Sequence, residues 1–218
     1  RVIKPTTSEI LKSLLVNWKI VLTGMFLVST TTTMFYFITV YTPTFGKEVL
    51  HLTTAQSLIA TVMVGVTNFI FLPIGGAISD KVGRKSVLLV ATLLILVTAY
   101  PILYWLTHSI SLAHLLMTLF WFSFLFGVYN GAMVPSLTEI MPREVRTSGF
   151  SLAYSLATSI FGGLTPLMAT YLVEQSGNKS MPAFWLMLAA FLGFCATLYV
   201  FHISKHPTKN FSKEPLPD

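Results

Sequence analysis

Four charges fall within six residues at Asp80, Lys81, Arg84 and Lys85, in a chain of which only 10% of residues are charged. The chemistry open to this cluster is ion pairing. Asp80 can bond Arg84 one helical turn on, or face the positive N-terminus of another helix. Gly83 supplies a backbone free to take positive φ, as a tight turn requires. Gly75 and Gly76 remove side chains where a neighbouring span must come close. Other reactive types are poorly arranged. Ser151 in GFSLA approaches a G-x-S-x-G nucleophile turn, but Ala153 stands where the second glycine belongs. His51, His108, His114, His202 and His206 lie in loops or at helix ends without metal-ligand spacing, and Cys195 stands alone. No enzymatic activity, metal or cofactor is expected.

The elements that must position these residues are legible from the gaps between charges. The 218 residues are 54% hydrophobic, with a mean hydropathy of +0.73. Charge-free runs extend over 20–46, 49–79, 86–138, 147–173 and 180–204. A spanning helix needs about 20 apolar residues, so the run of 53 residues holds two spans and the others one each. The expected fold is an all-α integral membrane protein, a six-helix bundle with spans near 20–42, 54–79, 86–106, 112–135, 147–172 and 181–203. Residues 1–19 read as a linker with an interfacial helix in TTSEILKSLL, capped by Thr7 or Ser8, and 204–218 as a Pro- and Lys-rich tail. With alternating loops, twelve of the fourteen Lys and Arg residues share one side. The positive-inside bias makes that side, and both termini, cytoplasmic. The partner is a lipid bilayer; no basic face on a soluble module points to nucleic acid.

The residues Gly76, Asp80, Lys81, Gly83, Arg84 and Lys85 match the signature G-x-x-x-D-[RK]-x-G-[RK]-[RK] of the major facilitator superfamily, which this chain therefore resembles. A second superfamily feature, E-x-x-P-x-x-x-R, stands as Glu139, Pro142 and Arg146. Its place after the fourth span implies helices seven to twelve of a twelve-helix transporter, with an N-terminal six-helix half as the missing partner. The stretches 31–50, 65–85 and 139–166 are similar to the metabolite–proton symporter branch, and within it to citrate–proton symporters. The resemblance implies symport of a tricarboxylate with a proton across a bacterial cytoplasmic (inner) membrane. A tricarballylate or other organic-acid permease of the same branch, and a non-transporting membrane fragment, are the alternatives.

A polyanionic substrate needs hydrogen-bond donors around a cavity near the midplane. Ser29, Thr32, Tyr36 and Thr39 recur at helical spacing on one expected face. Asn68 in the second span, Asn130 in the fourth, and Tyr154 and Ser155 in the fifth complete the candidate set. For the hydroxyl stripe and for Asn130, interhelical packing stands beside the cavity reading. Gly162, Gly163 and Pro166 invite a bend. No span interior carries Asp, Glu, Lys or Arg. Proton coupling and the buried cation that a trianion needs are thus expected in the other half.

Overall fold

The computed structural model describes residues 12, 15–109, 111–141 and 146–205. Among them the chain is helical throughout, in the order α1 (Trp18–Tyr36), a π-helical turn (Phe37–Tyr41), α2 (Thr42–Leu50), α3 (Thr54–Val82), α4 (Arg84–His108), α5 (Leu112–Ile140), α6 (Arg146–Ala157), a second π turn (Thr158–Gly162), α7 (Gly163–Ser176) and α8 (Pro182–Lys205). Six of the resulting rods are long and apolar enough to cross a membrane, and the two that contain π turns are continuous spans, Trp18–Glu48 and Arg146–Ser176. The expected interfacial helix and tail fall almost entirely outside the described residues.

Local sequence explains where the rods start and stop. Thr53 and Gln56 form a reciprocal capping box that opens α3. Ser111 accepts from the His114 N–H at 3.1 Å and opens α5. Pro73, Pro101, Pro135 and Pro166 all sit inside helices, which a bundle tolerates because neighbours can satisfy the freed carbonyls. The first span runs beyond its expected end near residue 42 because the π turn carries the helix on through Thr42–Leu50.

Small residues decide the closest packing. A Cβ placed on Gly75 would lie 2.6 Å from the Val128 Cα, and one on Gly131 would lie 2.6 Å from the Gly76 N. Gly127 faces Phe71 and Leu72 in the same way. Backbones of α3 and α5 therefore touch along this seam, as small-xxx-small pairs do between membrane helices. Two buried apolar clusters fill the bundle. The one towards the Asp80 end centres on Leu27, Leu88, Tyr129 and Ala153, the other, towards the His108 end, on Phe37, Ile95, Leu103 and Phe122. Within the first cluster Tyr129, fully buried on α5, donates its hydroxyl to the Leu27 carbonyl of α1 at 2.8 Å. Thr30 of α1 donates to the Ala189 carbonyl of α8 at 2.9 Å. Three spans are thereby fixed at one level.

Candidate functional site

The charged hairpin is a one-residue turn. Gly83 takes φ 95° and ψ 133°, a region that strains any side chain, and separates α3 from α4. Its N–H caps the Ser79 carbonyl at 3.0 Å. This places Arg84 in the first turn of α4 with its guanidinium between two carboxylates. Asp80 Oδ1 lies 3.5 Å away and Glu139 Oε1, near the end of α5, 2.5 Å away. The second contact is an ion pair of close approach without the alignment of a hydrogen bond. Lys81 is exposed and Lys85 half-buried. The Arg84 side chain is only 22% exposed, against 66% and 63% for its acidic partners. Water screens the carboxylates, so neither pair alone contributes much more than about 1 kcal/mol.

Glu139, in the last turn of α5, and Arg146, the first residue of α6, are the two described members of the second motif. Arg146 donates Nε to the Met141 carbonyl at 3.4 Å and holds the chain where α5 ends. Pro142 lies outside the described residues. Arg84 thus joins the two motifs, a connection that the separate sequence patterns do not contain.

The hydroxyl stripe of the first span does not form one straight face. Ser29 is buried and donates to the Phe26 carbonyl at 2.7 Å, with the Ala189 carbonyl of α8 at 3.5 Å. Thr32 is buried too, with acceptors at Ser29 O and Val28 O and with the Ala157 carbonyl of α6 at 3.5 Å. Thr39 lies past the start of the π turn, exposed, and donates back to Phe35 O at 2.6 Å. The wider turn interrupts the 3.6-residue period on which the stripe rests. Tyr36, half-buried, sits at that break, and a Cβ on Gly162 would meet its ring at 2.8 Å. The second π turn therefore packs through Gly162 against Tyr36 at the end of α1, one residue before the first π turn.

Asn68 and Asn130 are half-buried, and the Oδ1 atom of each is shut off from the surface with no hydrogen-bond partner among the described residues. Ser123 Oγ and Thr158 Oγ1 are in the same position. Leaving such a group unpaired costs about 1–3 kcal/mol. Tyr154 is half-buried and stacks on Phe150 at 5.9 Å, and Ser155 is exposed on the same helix. Trp121 donates to Thr98 Oγ1 of α4 at 3.0 Å, an interhelical bond. Ser151 is exposed. Among the described residues no cluster of three His, Cys, Asp or Glu side chains could hold a metal ion.

Sequence reasoning missed several of these residues. Tyr129 sits between Gly127 and Gly131, the close-packed seam, and a tyrosine inside so apolar a run was the available signal for a buried hydroxyl. At the opposite end Tyr41 donates to the Lys179 carbonyl at 3.0 Å, and Thr107 shares a 2.7 Å hydrogen bond with Ser180. These bonds tie the loop before α8 to α4 and to the first span.

Comparison with known proteins fits this geometry. The chain is 57% identical over 198 residues to a citrate-proton symporter of Salmonella typhi, covering 91% of this chain and 46% of that protein. It is 53% identical to a citrate-proton symporter of Klebsiella pneumoniae, covering 90% of this chain and 44% of that one. Identity to the ectoine/proline transporter ProP of Corynebacterium glutamicum is 30%, covering 88% of this chain and 38% of that protein. The chain spans about half the length of these curated relatives. No solved structure matches it. The family model described as Major Facilitator Superfamily matches residues 2–155 and 48–217. An all-α bundle of six spans fits the C-terminal half of such a transporter, and this multi-pass membrane protein belongs to the Major Facilitator Superfamily.

Proposed function

We propose that this chain forms the C-terminal half of a carrier that moves citrate, or a related tricarboxylate, together with a proton across the bacterial cytoplasmic membrane. The observation that carries this reading is the 57% identity over 91% of the chain to a citrate-proton symporter. The tricarboxylate is held at the interface with an N-terminal six-helix half, and the two halves rock about it. The basic ends of the spans face the cytoplasm, so Arg84, Asp80 and Glu139 brace the cytoplasmic face of this half.

The chemistry of this half is neutral. Its span interiors offer hydroxyls and amides but no ionisable Asp, Glu, Lys or Arg. Asn68 and Asn130 each carry an unmatched Oδ1 acceptor, which a donor from the facing half or a substrate hydroxyl can satisfy, while the amide NH2 group can donate to carboxylate oxygens. Tyr154 and Ser155 extend that polar wall along α6. The titrating group and the compensating cation then belong to the other half, because a proton-coupled carrier needs an ionisable group in its core. Uptake of labelled citrate into vesicles holding the full-length protein tests the reading. Uptake should collapse when a protonophore dissipates the gradient; uptake indifferent to the protonophore overturns symport.

A further inference from the structure

Tyr199, 44% exposed on the last turns of α8, is the ridge between two open grooves at the Asp80 end of the bundle. One groove, about 440 Å³, is lined by Lys85, Leu198, Tyr199, Phe201 and His202. The other, about 370 Å³, has Trp18, Lys19, Leu22, Phe26 and Ala196 among its walls and shares Tyr199. Each groove has apolar walls and a lysine at its rim. Lys19 also lies 6.0 Å from the centroid of the Trp18 ring. An exposed Trp, an exposed Tyr and two lysines at one level mark a headgroup region, where aromatic rings anchor and lysines snorkel.

We propose that these two grooves hold an anionic phospholipid of the cytoplasmic leaflet, its phosphate against Lys19 or Lys85 and its acyl chains along Leu22, Phe26 and Leu198. Basic clefts between spans on the cytoplasmic side suit such headgroups. Glu139 lines the adjoining cavity beside Tyr199, and it is paired with Arg84. The described residues lining the two grooves include Lys19 and Lys85 and no carboxylate, so the rim is positive. Leaflet assignment rests on the orientation given under the proposed function; the lipid preference itself does not.

Native mass spectrometry of the full-length protein, supplied with equal dioleoylphosphatidylglycerol and dioleoylphosphatidylcholine, tests the site. The protein should retain the anionic lipid preferentially, and each of Lys19→Gln and Lys85→Gln should reduce that preference roughly five-fold. Lys19→Arg and Lys85→Arg should keep it, and Lys47→Gln, at the opposite end, should leave it unchanged. Equal retention of the two lipids overturns the proposal, as does an undiminished preference in the double glutamine variant. Displacement of the lipid by millimolar inorganic phosphate would assign the site to a free anion instead. The readout needs no transport, so a failed symport assay and a failed lipid site remain distinct results.

Discussion

Arg84 Nη1 lies 2.5 Å from Glu139 Oε1, and this contact fastens the turn between α3 and α4 to the end of α5. The two residues belong to different sequence motifs, separated by 54 residues of chain. Asp80, on the preceding helix, holds the same guanidinium from the other side at 3.5 Å. A guanidinium shared by two carboxylates fixes the relative position of three helix ends with one side chain.

Removing either end of that contact should therefore give non-additive effects. In the full-length protein, Arg84→Ala and Glu139→Gln should each lower the midpoint of thermal unfolding slightly. Their double mutant should fall short of the sum by about 0.5–1 kcal/mol, the range for well-exposed pairs. Under the proposed function the effect on uptake should be larger than the stability effect, because the pair would then sit on the face that opens and closes. Strict additivity in a double-mutant cycle on citrate uptake would show that the pair does not act as a unit.

The seam between α3 and α5 gives a sharper test, since its neighbours are backbone atoms that cannot yield. Gly131→Ala should destabilise the protein by about 1–3 kcal/mol by overpacking, because the new methyl meets Gly75 and Gly76. Gly65, on the facing helix α3, has nothing within 4 Å of a carbon added by Gly65→Ala. That change should be neutral, or stabilise by up to about 1 kcal/mol through helix propensity. Melting curves in detergent separate the two. Equal melting temperatures for both variants would remove the seam as the cause.

Much of this arrangement is legible in the sequence, and the rest is hidden for physical reasons. Charge-free runs mark the spans because lipid excludes charge, and Gly83 stands out as the one residue able to turn α3 into α4. The π turns leave no such trace. Phe37–Tyr41 and Thr158–Gly162 are ordinary apolar and hydroxyl segments, and widening a helix by one residue per turn leaves hydropathy unchanged. Hence the stripe from Ser29 to Thr39 reads as one face, whereas the fold divides it. Likewise the pairing of Arg84 with Glu139 is a tertiary contact that local spacing cannot announce.

The packing of Gly162, in the second π turn, against Tyr36 at the end of α1 predicts a size limit at Gly162. Gly162→Ala drives a methyl against the Tyr36 ring, which lies 2.8 Å from the new carbon. Gly162→Val should therefore impair citrate uptake more than Gly162→Ala. Adding Tyr36→Ala should recover stability by vacating the space, while leaving uptake low if the tyrosine also lines the substrate path. Full recovery of uptake in the double variant would confine Tyr36 to packing.

Asn68 separates stability from function most clearly. Its Oδ1 is buried without a partner, a loss of about 1–3 kcal/mol that an apolar residue of similar size does not suffer. Asn68→Leu should therefore raise the melting temperature of the full-length protein. The same change removes an amide that can donate to a carboxylate, and a hydrogen bond to a charged group contributes about 1.5 kcal/mol or more. The citrate KM should then rise roughly ten-fold, with expression and membrane insertion intact. Asn130→Leu should act in the same direction. A protein that melts higher and transports less is what a site built from unpaired amides requires. If Asn68→Leu instead melts lower and transports normally, the amide is a structural tie, and the polar wall of this half must be sought along Tyr154 and Ser155.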